Sequence, residues 1–160
     1  MDKILNRDQL IDRVKAWRAS GDRIILTNGC FDVLHVGHVR YLHAAKLLGG
    51  KLIVAVNSDS SARSLKGEGR PLVPEAERAE LLAALADVDA VCIFDEPNVR
   101  GLIELIRPDV HAKGTDYTEQ SVPERDAVLA YGGRVAIVGD PKDHSATDLL
   151  RKIAKSVRPG

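Results

Sequence analysis

Residues 24–42 read IILTNGCFDVLHVGHVRYL. The stretch opens on three large apolar side chains, Ile24-Ile25-Leu26, with no polar residue between them. A short, unbroken apolar run marks a strand covered on both faces, as strands of parallel sheets are. Residues of another kind follow: Asn28 and Gly29, then Cys30-Phe31-Asp32, then His35-Val36-Gly37-His38. They lead into an amphipathic segment that reads as a helix over 37–48, ended by Gly49-Gly50. Strand, loop and helix in this order make the first half of a βαβ unit, and the fold depends on whether the pattern recurs.

It recurs on both sides. Residues 8–19 precede it as an amphipathic helix with Leu10, Ile11, Val14 and Trp17 at helical spacing. Further strands are predicted at 52–56, 90–94, 110–113 and 134–138, the first strand spanning 23–27. Helices are predicted at 74–86, with Pro74 starting the first turn, and at 98–106, 121–131 and 145–157. Residues 60–72, rich in Ser, Gly and basic side chains, read as a mobile loop. The alternation predicts an α/β fold: a single doubly wound (Rossmann-like) domain with a five-stranded parallel sheet and helices on both faces. Ligands of such sheets bind beyond the carboxyl ends of the strands, at the switch point. The residues to inspect are therefore 28–37, 57–59, 95–96, 114–117 and 139–145.

The composition of the 160 residues is ordinary for a water-exposed domain, with 44% hydrophobic and 29% charged residues and a formal net charge of zero. That balance argues against bulk attraction to nucleic acid or to an anionic membrane surface. Cys30 and Cys92 form no disulfide framework and no CxxC pair, which fits a reducing cytosol. The segment MDKILNRDQL lacks the apolar stretch of a secretory signal, and no apolar run reaches about 18 residues. The expectation is a cytoplasmic protein with neither a membrane nor a nucleic acid as partner.

Chemistry concentrates at the first strand end. Gly29 permits a tight turn or a close approach of backbone to ligand. Gly37 falls where a helix begins, where unpaired N–H groups and the helix dipole attract phosphate. His35 and His38, three residues apart, point the same way if both lie in the first turn. Two imidazoles and a helix N-terminus converging on one point suit charge that develops on phosphate oxygens. Two blander readings stand beside this one: a metal site completed by Cys30 or Asp32, and a capped surface turn with no chemistry.

The wider segment TNGCFDVLHVGH resembles the signature of the HxGH nucleotidyltransferase superfamily. VNSD at 56–59, Lys66-Gly67, Arg70-Pro71, Glu77-Arg78, LLAALADVDAV, RPDVHAKGTDY and HSATDLLRKI extend the likeness over residues 22–155. Together they resemble the D-glycero-β-D-manno-heptose 1-phosphate adenylyltransferases, which occur alone or as the C-terminal half of a bifunctional heptose kinase/adenylyltransferase. The resemblance implies a helical lead-in at 1–21, a nucleotidyltransferase domain at 22–160, and the stand-alone form. It implies transfer of AMP from ATP to heptose 1-phosphate, with Mg2+, giving pyrophosphate and ADP-heptose for lipopolysaccharide precursors, by a homodimer. It implies catalytic roles for His35, His38 and Lys66. Nucleotide contacts fall to Asn28, Gly29, Cys30, Phe31 and Gly37, to Lys113, Gly114 and Asp116, and to Ser145 and Thr147. Acceptor contacts fall to Asp32, Asn57, Asp59 and Arg78; no protein metal ligand is implied.

Each role has a plainer competitor. Without the resemblance Lys66 reads as a solvated loop lysine, Arg78 as a helix-surface arginine paired with Glu75 or Glu77, and Asp32 as a turn cap. Lys113 to Asp116 also reads as a simple strand-to-loop turn. The family pattern Ser-Thr-Thr is Ser145-Ala146-Thr147 in this chain, so a hydroxyl contact at position 146 is missing while the backbone N–H donors remain. A CTP-dependent cytidylyltransferase acting on glycerol 3-phosphate or a phosphocholine-type acceptor is the nearest alternative. A non-catalytic nucleotide-binding module is the more distant one.

Overall fold

The computed structural model describes residues 2–141 and 145–157. Its strands are β1 (Ile24–Gly29), β2 (Lys51–Asn57), β3 (Ala90–Phe94), β4 (Val110–Lys113) and β5 (Arg134–Ile137). All pair in parallel, in the order β3-β2-β1-β4-β5. The chain winds outward from β1 in one direction, then returns to β1's other side, so the switch point lies between β1 and β4. Register there runs Ile25 to Val110 and Leu26 to His111.

The apolar runs are continuous because both faces of the sheet are covered. Ile24, Leu26, Ile53 and Cys92 face one core, shared with Leu10 and Val14 of α1 (Arg7–Ala19), Leu102 and Ile103 of α5 (Arg100–Ile106) and Val128 of α6 (Arg125–Ala130). Ile25, Leu52, Val54 and Val110 face the other, against Leu42 and Ala45 of α2 (Val36–Lys46) and Ala79 and Leu82 of α4 (Glu75–Ala83). Residues 3–5 extend the edge beside β3, where Leu5 N–H donates to Val91 O and Val91 N–H to Lys3 O.

The expected mobile loop at 60–72 is instead mostly helix: α3 spans Asp59–Lys66. Ser58 caps it, its Oγ accepting from Ser61 N at 3.2 Å, and the small residues Ser61 and Ala62 are what it buries. The apolar pattern missed it because Leu65, its one large apolar residue, is exposed. Pro74 is the N-cap of α4 rather than its first helical residue. The last helix, α7 (Ala146–Ser156), buries none of its residues. His144 of the HSATD motif lies outside the described residues.

Candidate active site

The β1–α2 connection is shaped by two residues in the left-handed region, Phe31 (φ 49°) and Val33 (φ 56°). For a β-branched residue that conformation is strained, and such strain persists where surrounding structure enforces it. Gly29, read as permitting a tight turn or a close approach of backbone to ligand, ends the strand and lines the cleft; a Cβ there would lie 3.2 Å from the Phe31 ring, so glycine makes room for that ring.

Phe31 in turn packs on His38, with centroids 5.4 Å apart. His35 is the N-cap of α2, its Nδ1 accepting from Gly37 N–H at 3.1 Å. His35 N–H donates to His38 Nδ1 at 3.3 Å. Both Nδ1 atoms therefore accept, which in each neutral ring places the proton on Nε2. The rings stack 3.9 Å apart at an interplanar angle of 26°. The result is a pair of adjacent Nε2–H donors at the positive end of a helix dipole.

These rings line a cleft of about 300 Å³ at the switch point. All the expected site residues line it except Asn57, Asp59 and Arg78. Lys66 reaches it from the last turn of α3, exposed. Lys113 reaches it from the end of β4, with Nζ 4.6 Å from the Tyr117 ring centroid. Burial pushes the Lys113 ammonium below its usual range, against the opposing pull of Glu124 and Asp116. Ser145 is the N-cap of α7, its Oγ accepting from Asp148 N at 3.0 Å.

Arg78 departs from its expected role. It is fully buried, and its guanidinium donates to Val73 O, Cys30 O, Asn57 O and Asp59 Oδ1 at 2.6–2.9 Å. It ties the ends of β1 and β2 to the caps of α3 and α4. Asn57 is buried beneath it and donates to Ser61 Oγ, while Asp59 trades hydrogen bonds with Glu75. These three residues form the floor that supports the cleft. Asp32 lines the cleft, but its oxygens accept from Arg70 Nε, Leu72 N and Val73 N at 2.9–3.0 Å. Burial alone would raise its carboxyl; the Leu72 and Val73 N–H groups and Arg70 outweigh that and hold it below the usual range.

The alternative of a metal held by the histidines with Cys30 or Asp32 does not fit this arrangement. Burial pushes the Cys30 thiol up, despite Lys66 and Arg78 nearby, so it stays protonated at neutral pH. Both Nδ1 atoms and the Asp32 carboxylate already accept hydrogen bonds. Among the described residues no group of three or more His, Cys, Asp or Glu side chains is placed to hold an ion.

Three contributors were not legible. His111 is fully buried in β4, and its Nε2 lies 2.8 Å from Asn28 Oδ1. Burial, reinforced by the charge of Lys113, pushes its pKa down to about 3, so the ring is neutral and donates through Nε2. That fixes the Asn28 amide with Nδ2 as the end available to the cleft. Tyr41 donates to Ala112 O at 2.8 Å and Arg40 pairs with Asp140 at 3.3 Å, placing α2 against the ends of β4 and β5. A histidine inside an apolar strand was the one sequence signal among them.

A cleft walled by donors and cations, whose thiol is protonated and whose buried carboxylate is already engaged, suits transfer between two phosphates rather than attack by the protein. It defines a nucleotidyltransferase. A family profile described as Cytidylyltransferase-like matches residues 26–153, and the chain belongs to that family. It is 49% identical over 153 residues to a bifunctional protein HldE of Methylobacillus flagellatus, covering 96% of this chain and 31% of that one. A bifunctional protein HldE of Geobacter metallireducens is 50% identical over 154 residues, with the same coverage of 96% and 31%. The chain thus spans about a third of the length of these relatives, and they bear out the resemblance read from its motifs. Among solved structures, a lipopolysaccharide core biosynthesis protein from Thermoplasma volcanium superposes with a TM-score of 0.63 at 30% identity, over 74% of this chain and 95% of that one.

Proposed function

We propose that the protein transfers AMP from ATP to D-glycero-β-D-manno-heptose 1-phosphate, releasing pyrophosphate and forming ADP-heptose for lipopolysaccharide assembly. The observation that carries nucleotidyl transfer is the stacked histidine pair, two Nε2–H donors at the N-terminus of α2. The heptose acceptor rests on the motif resemblance and on the HldE relatives.

The acceptor phosphate oxygen attacks the α-phosphorus in line, so no covalent enzyme intermediate is needed. Negative charge builds on the α-phosphoryl oxygens, where the two imidazole donors and the positive end of the α2 dipole meet it. Lys66 adds a point charge of adjustable reach. The triphosphate lies toward β4 and β5, where Lys113, Gly114, Asp116 and the α7 N-terminus with Ser145 and Thr147 line the cleft. ATP enters as its magnesium complex, the ion held chiefly by substrate phosphates, as Mg2+ prefers.

No helix among the described residues is long and apolar enough to cross a membrane, and the thiols of Cys30 and Cys92 are unbridged, both in keeping with a cytoplasmic setting. A homodimer agrees with α7 and the residue that ends it, where Ile153 is about half exposed and Val157 two-thirds exposed. The deciding experiment screens pyrophosphate release with ATP, CTP, GTP and UTP against several sugar and polyol phosphates. ATP with heptose 1-phosphate and Mg2+ should give the highest kcat/KM. CTP with glycerol 3-phosphate outperforming that pair would replace this reading with the cytidylyltransferase one.

A further inference from the structure

Arg70 lines the cleft on its β2 side, one turn of chain beyond Lys66, with its side chain about 20% exposed. Its Nε donates to Asp32 Oδ2 at 2.9 Å. Among the described residues no other acceptor takes a hydrogen bond from this guanidinium, so its two Nη groups form the edge left for a ligand. A guanidinium gripped at Nε and open at Nη is a preset fork for two oxygens of one phosphate.

The grip itself has no second use. Asp32 Oδ2 accepts from Arg70 and Leu72 N, Oδ1 accepts from Val73 N, and the side chain is 3% exposed. A carboxylate so covered does not serve a sugar hydroxyl; it fixes the 70–73 segment and aims Arg70. Lys66 and Arg70 both act electrostatically on the Cys30 thiol, which places the two cations around one point of the cleft wall.

Topology decides which phosphate they meet. Lys66 and Arg70 follow β2, whereas Lys113, Asp116, Ser145 and Thr147 follow β4 and β5, with the histidines between on α2. In-line displacement puts the attacking oxygen and the leaving pyrophosphate on opposite sides of the reacting phosphorus. With the triphosphate toward β4 and β5, the acceptor approaches from the β2 side. The geometry points to Arg70 as the residue that binds the acceptor's phosphomonoester through its Nη groups, with Asp32 as the positioning residue behind it. This inference rests on the nucleotidyl-transfer reading above.

The test uses Arg70→Gln, Arg70→Lys and Asp32→Asn, with KM measured separately for acceptor and for MgATP. Arg70→Gln should raise the acceptor KM about 10- to 100-fold, the scale of a lost charge-assisted pair, while the ATP KM moves less than about twofold. Arg70→Lys should recover part of that loss. Asp32→Asn should shift the acceptor KM in the same selective way, by less. If Asp32→Asn does not fold, the Arg70 pair alone decides. An ATP KM that rises as far as the acceptor KM assigns Arg70 to the triphosphate and overturns the inference, as does a variant with both constants unchanged. If wild type releases pyrophosphate with none of the acceptors, the transfer reading fails by itself. Calorimetry with inorganic phosphate and with MgATP then decides for Arg70: loss of phosphate binding alone in Arg70→Gln supports it, and equal titrations overturn it.

Discussion

In the proposed mechanism each cleft histidine carries two jobs on two nitrogens, and they can be separated. At His35, Nδ1 caps α2 by accepting from Gly37, and Nε2 is the nitrogen proposed to act on the ligand. His35→Asn keeps an acceptor near Nδ1 and removes the Nε2 donor. It should lose about a hundredfold or more in kcat with Tm nearly unchanged. His35→Ala removes both and should lose about 1 kcal/mol of stability as well. Near-full turnover in either variant would remove the histidine pair from the chemistry. Lys66→Ala should lower kcat and kcat/KM together, leaving ATP affinity from calorimetry close to wild type, because its contact forms chiefly as charge develops. Lost ATP affinity at unchanged kcat would make Lys66 a ground-state binder. That His35, His38 and Lys66 share one cleft was legible because motifs of many residues name them. His111 and the Arg70–Asp32 pair were not, because each depends on partners 38 or more positions away in the chain.

Among the elements, strands were easy to find and α3 was not. Val54, Ala55 and Val56 are buried on alternate faces and so read as one apolar run. The segment Asp59–Lys66 buries only Ser61 and Ala62, and its one large apolar residue, Leu65, is exposed, so no buried apolar stripe marks it. What holds α3 is polar: the Ser58 cap, the exchange between Asp59 and Glu75, and Arg78 beneath both. Arg78 read as an acceptor contact or as a surface helix residue, not as a buried tie, because its own acceptors are mostly backbone carbonyls, which no side-chain pattern reveals. Arg78→Met would take a donor from three carbonyls and from the Asp59 carboxylate, which keeps the Glu75 N–H. Removing one partner from such a buried charged network costs about 3–5 kcal/mol. For a chain of this size that is a fall in Tm of roughly 10 °C, measurable by calorimetry. Activity would fall with it through displacement of the 66–73 segment. A variant of unchanged Tm would return Arg78 to a ligand-binding role.

At the scale of the whole molecule, the zero net charge leaves acid stability to individual buried groups, and His111 dominates one window. Folded, its pKa is about 3, pushed down by burial first and by Lys113 second; unfolded, a histidine titrates near 6.5. Between those values the unfolded chain binds a proton that the folded chain refuses. Stability is therefore present above about pH 6.5 and falls as pH drops, by up to about 1.4 kcal/mol per pH unit. Asp32 works in the same direction but only later: its depressed carboxyl contributes above its unfolded value, about 3.9, and that contribution is lost below it. Lys113, depressed from its ordinary value, acts only at the alkaline end. The interval from pH 6 to pH 4 thus isolates His111 by difference. Urea unfolding of wild type and His111→Leu across that interval should show a wild-type decline that is shallower in the variant by one proton. The variant should also fold, since leucine removes the buried Nδ1 that has no partner among the described residues. It should still turn over slowly, because Asn28 Oδ1 loses the donor that aims its amide. Equal slopes in the two proteins would mean that the folded state protonates His111 after all, and its hold on Asn28 would then not depend on a neutral ring.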